Sequence, residues 1–305
     1  FSTTTKRMIS SFVIMLTPKN PTKHLWMIAG GPGSTGSVLL EMIWNRGMKG
    51  LMNEDVAFLL PDHRGVGLSS PLECDTVGFS RKEIATCLKE TMNRGNLSID
   101  ELRMFSVSNS AKDLDEVMWK ISVPAVGFEG INVIGASYGT YLVQRFLHFR
   151  TVGVSTVTLQ GCMEMDNPMM PDYDENVDLV GRELLSRCSM DSSCISKFVG
   201  RHPNEELTQL WNDINSNKST CFDKIPGISK PFINLFQAHS YNLLSSQDPF
   251  MRLLIPPLIK RLSRCSSKDV EALSKFFSPT KEIPLNELPM SSFSLGVNII
   301  GSEMV

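Results

Sequence analysis

The first half of the chain consists of short apolar blocks separated by polar or glycine-rich stretches. Residues 7–16 (RMISSFVIML) and 24–29 (HLWMIA) have strand length, with Pro18-Lys-Asn-Pro21 as the turn between them. Val56 to Leu60, Ile131 to Ile134 and Val154 to Leu159 are short apolar runs bounded by polar residues, as in buried parallel strands. Between these runs the spacing turns helical. Val38, Leu39, Met42 and Ile43 predict a helix over 37–48, Ser110 to Lys120 a second with Ser110 as its N-cap, and Tyr138 to Phe149 a third. Residues 72–106 carry weak signals and predict an excursion with short helices. Strands alternating with helices in this way predict an α/β domain with a mainly parallel sheet.

After Gly161 the pattern changes. From about residue 176 to 277 the apolar positions recur at helical spacing, as in Val177/Val180/Leu184, Leu207/Leu210/Ile214 and Leu253/Leu254/Leu258. They predict a separate lobe of about five helices. Gly296-Val-Asn-Ile-Ile300 predicts the start of a further strand. The expected organisation is therefore a core over 1–161, a helical domain over 162–292 and a return to the core over 293–305.

Charge and composition narrow the partners. A formal net charge of -2 argues against nucleic acid and anionic membranes, both of which need a basic surface. No apolar run approaches the ~18 residues of a membrane helix. The cysteines form no Cys-x-x-Cys pair and no Cys/His cluster with zinc spacing, so no metal or other cofactor is expected. Their number is seven, which leaves at least one without a partner in this chain. Cys74 with Cys87, and Cys188 with Cys194, are close enough to close small disulfide loops; buried reduced thiols stay open as the alternative. Sequons at Asn96 and Asn217 add little in a chain of this length.

The candidate chemistry sits at Gly135-Ala136-Ser137-Tyr138-Gly139, between a β-branched run and an amphipathic helix. G-x-S-x-G in that context is a nucleophile elbow. The turn is strained and crowded, which demands small flanking residues, and it holds the Ser137 hydroxyl at the carboxyl edge of the sheet. The helix that follows aims its unpaired N–H groups at the same place, so the Tyr138 N–H forms one half of an oxyanion hole. Ala29-Gly30-Gly31-Pro32-Gly33, after an earlier strand, is suited to supply the other half, because glycines let a backbone turn toward substrate.

Three motifs carry a family resemblance, in order: GGPGSTG at 30–36, PDHRGVGLSSPLEC at 61–74 and NVIGASYGTYLVQRF at 132–146. Together they resemble α/β-hydrolase-fold serine peptidases of the prolyl aminopeptidase and tripeptidyl aminopeptidase type. Ala29 departs from the pattern, standing where prolyl aminopeptidases usually have His, and Gln160 stands where many members have Asp. The likeness is strong over 24–161 and looser beyond. It implies an α/β-hydrolase fold with an inserted helical cap, Ser137 as nucleophile, and the Tyr138 and Gly31 N–H groups, with Gly30 in the same loop, as the oxyanion hole. It implies removal of short N-terminal segments from peptide substrates, with the cap closing the cleft and reading the free amine. Cys74 at the end of the second motif, and the helical lobe with Cys188 and Cys194, favour the secreted, tripeptidyl-aminopeptidase-like branch.

A serine nucleophile needs a histidine and a carboxylate, which in this fold follow it in the order Ser, Asp or Glu, His. The histidines after Ser137 are His148, His202 and His239. His148 stands ~16 Å along the helix axis from Ser137 at ~1.5 Å per residue, too far to bond. His202 and His239 fall in the helical lobe, and His63 precedes the serine. The expectation is a C-terminally truncated chain, lacking the last strands of the sheet and with them the Asp and His of the triad, and therefore inactive and poorly soluble by itself. Arg64 is expected to pair with a buried carboxylate, Asp62 or Asp113. Glu303 is a candidate for holding a substrate ammonium group. An esterase or lipase-like hydrolase shares this chemistry, and a non-catalytic binding protein is the alternative if the chain ends at Val305.

Overall fold

The computed structural model describes residues 8–45, 55–76, 80–165, 173–216, 218, 220–226, 228, 243–244, 249–277, 295 and 298–299. The chain divides into two compact units, residues 1–170 with 283–305, and residues 171–282.

The first unit is built on a five-stranded sheet of β1 (Phe12–Leu16), β2 (Lys23–Ile28), β3 (Val56–Asp62), β4 (Ile131–Ala136) and β5 (Thr156–Gln160), in the order β1-β3-β2-β4-β5. β1 runs antiparallel to β3, and the remaining pairs are parallel. On the central strand, Trp26 lies beside Leu59 on one side and Val133 on the other. The parallel register brings the carboxyl ends of β2, β3 and β4 to one edge, where residues 29–36, 63–70 and Ser137 lie.

Side-chain alternation covers both faces of the sheet. Trp26, Ile28, Leu59 and Val133 join one buried cluster with Met118, Leu142 and Phe146. Met27, Ala29, Phe58 and Leu60 join another with Leu39 and Ile43. Strands buried on both faces read as continuous apolar runs, which explains the pattern in the sequence. The described helices of this unit include α1 (Val38–Asn45), α2 (Arg81–Gly95), α3 (Ile99–Arg103), α4 (Val107–Ile121), α5 (Val123–Val126) and α6 (Tyr138–Phe149).

Three expectations need correction. The excursion over 72–106 contains a full 15-residue helix, α2, closed by a capping box between Ser80 and Glu83. Helix α4 starts earlier than its apolar spacing suggests, because Ser106 is its N-cap and accepts from the Asn109 N–H. Ser110 is inside the helix and returns its hydroxyl to the Ser106 carbonyl. The strand expected at Gly296 to Ile300 does not form at its described positions, since Asn298 and Ile299 are helical. Leu295 and Ile299 are fully buried in the first unit's core, and Asn298 donates to the Phe105 carbonyl. Apolar burial there is met by a helical turn rather than by sheet pairing.

In the second unit the described elements are helical: α7 (Tyr173–Met190), α8 (Ser192–Ile195), α9 (Pro203–Asn215), a 3-10 turn (Cys221–Lys224), α10 (Pro249–Arg252), α11 (Ile255–Arg264) and α12 (Ser267–Phe276). Leu185, Leu210, Phe222, Ile259, Leu262 and Leu273 form its core. Asp269 is fully buried, held by Arg261, Arg264 and the Ser266 hydroxyl.

Three disulfides form among the described residues: Cys74–Cys87, Cys188–Cys194 and Cys221–Cys265. The first two follow the sequence spacing, and the third joins positions whose separation gave no signal. Cys162 is free and exposed. No helix of the described residues is long and apolar enough to cross a membrane.

Candidate active site

Ser137 lies between β4 and α6 with φ 53° and ψ -125°. Positive φ at a non-glycine residue costs on the order of 1–3 kcal/mol and has to be imposed by its surroundings. Those surroundings are on both sides of the turn. The Ser137 N–H donates to the Gln160 carbonyl at the end of β5, 2.9 Å away. The Ser137 carbonyl accepts from the Thr140 N–H at 2.8 Å and from the Thr140 hydroxyl at 2.7 Å. The same hydroxyl accepts from the Met163 N–H, and Gln144 holds the Met163 carbonyl, so the segment after β5 is tied to the elbow. With its backbone bound in this way, Ser137 itself is exposed.

The small residues are required by contact. A Cβ on Gly135 would stand 2.7 Å from the Gly139 carbonyl oxygen, and one on Gly139 would run into the Ile28 carbonyl of β2. Helix α6 thus begins with its backbone pressed against two strands.

The loop after β2 meets the elbow directly. A Cβ on Gly30 would lie 3.0 Å from the Ser137 Cβ and 3.5 Å from its hydroxyl oxygen. Gly31 follows with φ 116°, a conformation open to glycine. Gly30 and Ser137 are therefore in contact, with Gly31 and Tyr138 next to them in the chain, and Tyr138 occupies the first position of α6. Glu303 and His239 lie outside the described residues.

Behind the elbow is the loop after β3. The Asp62 carboxylate accepts from the Gly36 N–H at 2.8 Å and from the Leu68 N–H at 3.0 Å. Arg64 turns away from Asp62 and makes a two-pronged pair with Asp113, both contacts 2.6 Å, while also donating to the Met104 carbonyl. His63 is buried, with its ring 5.8 Å from that of Tyr138. Burial lowers its pKa to about 4, against the opposing pull of the Arg64 carbonyl and of Asp62 and Asp113. Its Nε2 has no hydrogen-bond partner among the described residues. Neither the sequence motif nor the family likeness marked His63 as unusual. It lines a small cavity with Phe12, Ser110 and Asp113 that contains neither Ser137 nor Gly30.

The other described histidines lie elsewhere. His24 is buried and bonded to the Ser122 hydroxyl, His148 packs edge-on against Phe149 in the last turn of α6, and His202 is the N-cap of α9. Among the described residues no histidine or carboxylate hydrogen-bonds the Ser137 hydroxyl, and no group of three His, Cys, Asp or Glu side chains could hold a metal ion.

The alpha/beta hydrolase fold family matches residues 23–250, most of the chain. No curated protein matches. Among solved structures the chain is similar to an esterase from Exiguobacterium antarcticum, at 14% identity and a TM-score of 0.33 over 88% of this chain and 69% of that one. It is also similar to a thermostable carboxyl esterase from Bacillus coagulans, at 15% identity and a TM-score of 0.34, over 57% of this chain and 49% of that one. The chain thus spans about half of the second protein's length.

Proposed function

Because the chain belongs to the alpha/beta hydrolase fold family, we propose that it is a serine hydrolase whose nucleophile is Ser137. The observation that carries this reading is the elbow itself. An exposed serine is held at positive φ between strand and helix, with Gly30 against its Cβ. Such strain at a polar side chain points to a functional role.

In this reading the Ser137 hydroxyl attacks a substrate carbonyl as a general base takes its proton. The carbonyl oxygen becomes an oxyanion, stabilised by the N–H groups of Tyr138 and Gly31 and by the positive end of α6. The leaving group departs, and water then releases the acyl group from Ser137.

Within this chemistry we favour peptides as substrates, shortened from the N-terminus. The support is the order and content of the three motifs at 30–36, 61–74 and 132–146, which resemble aminopeptidases. The disulfides fit an oxidising compartment such as the cell exterior. A panel of unblocked peptide amides, N-blocked peptide amides and simple carboxylic esters tests the substrate class. Preference for unblocked peptide amides supports the peptidase reading. Hydrolysis of esters alone replaces it with an esterase.

A further inference from the structure

Asp62 ends β3 and is 5% exposed. Its charge is not shared with Arg64 two residues on, whose guanidinium is committed to Asp113. Instead the two carboxylate oxygens are divided between two loops. Oδ1 accepts from the Gly36 N–H, at the far end of the glycine-rich loop that begins at Gly30, and Oδ2 accepts from the Leu68 N–H in the loop after β3. Gly67 approaches so closely that a Cβ there would collide with Oδ2 and press on the Thr35 methyl. Gly36 is held from the other side, where a Cβ would stand 2.7 Å from the Leu60 carbonyl oxygen. The start of the glycine-rich loop lies against Ser137, and its end is fastened to Asp62.

We infer that Asp62 is a positioning residue for the oxyanion hole: by holding Gly36 it fixes the direction in which the Gly31 N–H points. A carboxylate suits this task because charge-assisted bonds to N–H groups are shorter and stronger than neutral ones. A loop of glycines has little stiffness of its own, since glycine loses more conformational freedom on ordering than any other residue. An external tie at its end therefore determines where its N–H groups come to rest. Asp62 touches no substrate in this role. This inference rests on the serine hydrolase reading.

The test compares Asp62→Asn and Asp62→Ala with the intact wild-type protein. Asparagine keeps the shape and one acceptor, but sets an NH2 donor against the other N–H. Alanine removes both ties. Misplacing an oxyanion donor by about 1 Å costs up to ~100-fold in rate. The inference therefore expects kcat to fall roughly 10- to 100-fold, more in the alanine variant, with KM within about threefold of wild type. Hydrogen exchange supplies a readout independent of activity, with the Gly36 and Leu68 amides exchanging faster in both variants. A folded Asp62→Ala protein with wild-type kcat overturns the inference. So does a fall in kcat that is matched by loss of substrate binding and of thermal stability throughout the unit. If wild type itself shows no hydrolysis and no labelling of Ser137, the serine hydrolase reading is what fails. Unchanged exchange at Gly36 then refutes the tie on its own.

Discussion

The guanidinium of Arg64 meets the carboxylate of Asp113 through two parallel contacts, Nε to Oδ2 and Nη2 to Oδ1, each 2.6 Å. Both side chains are largely withdrawn from water, at 11% and 24% exposure. The pair joins the loop after β3 to helix α4 from behind the candidate site. Removing one partner leaves a mostly buried charge alone. Asp113→Ala is expected to destabilise the protein by about 2–4 kcal/mol, measured by urea unfolding. Arg64→Lys is expected to lose much of the same energy, because an ammonium cannot reproduce the fork. A change within 0.5 kcal/mol, roughly the range of an ordinary surface substitution, would show that the pair is not what holds this loop.

Gly30 offers a test of crowding at the elbow. An alanine there would bring its methyl to 3.0 Å from the Ser137 Cβ and 3.1 Å from the Ala136 carbonyl oxygen. The expected result for Gly30→Ala is a folded protein in which Ser137 reacts roughly 10- to 100-fold more slowly. Reaction rate with a fluorophosphonate, beside a melting curve, measures both. An unchanged rate would place the glycine-rich loop outside the chemistry.

His63 gives a pH dependence of known sign. Its pKa is depressed by burial to about 4 in the folded protein, against 6.5 when unfolded. Below pH 6.5 the unfolded state takes up a proton that the folded state refuses until about pH 4. The contribution of His63 to stability is therefore complete above pH 6.5 and is lost as the pH falls through this window. By linkage the loss between pH 7 and pH 4.5 amounts to about 2–3 kcal/mol. Unfolding free energies of wild type and His63→Leu, each measured at pH 7 and pH 4.5, isolate this share from that of the carboxylates. The wild type is expected to lose more than the variant. Equal losses would mean that His63 accepts its proton in the folded state.

The three disulfides are expected to differ in weight. Cys221 and Cys265 are 44 residues apart, against 13 for Cys74–Cys87 and 6 for Cys188–Cys194. On the loop-entropy account the longest loop contributes about 4 kcal/mol and the shortest about 2.3 kcal/mol. The double variant Cys221→Ser with Cys265→Ser should thus lower the unfolding midpoint of the second unit more than Cys188→Ser with Cys194→Ser. The reverse order would indicate that strain or unfolded-state structure outweighs chain entropy here.

The sheet and the elbow were legible because both rest on short-range rules. Ile131 to Ile134 reads as a strand from its own residues, and Gly135 is forced by its contact with Gly139 four positions on. Helix α6 runs from Tyr138 to Phe149, the bounds its apolar spacing predicts. Other features depend on partners far away in the sequence. Asp113, rather than Asp62, receives Arg64 across 49 positions, and spacing alone could not choose between them. Cys221 and Cys265 carry no local signature of their bond. The helical turn at Asn298 and Ile299 has the β-branched content of a strand, and tertiary packing against Phe105 and its neighbours overrode it. Ser106 and Ser110 both qualify locally as the N-cap of α4, and only Ser106 accepts from an N–H three residues on.

Ser137 carries the chemistry proposed for this site. The most direct measurement is to treat the folded protein, at its full natural length, with a fluorophosphonate and map the modified residue by peptide mass spectrometry. The expected result is one modified serine, Ser137, with no labelling in Ser137→Ala and none in protein unfolded beforehand. A folded protein that takes no label, or takes it at another residue, would contradict the assignment of Ser137 as nucleophile.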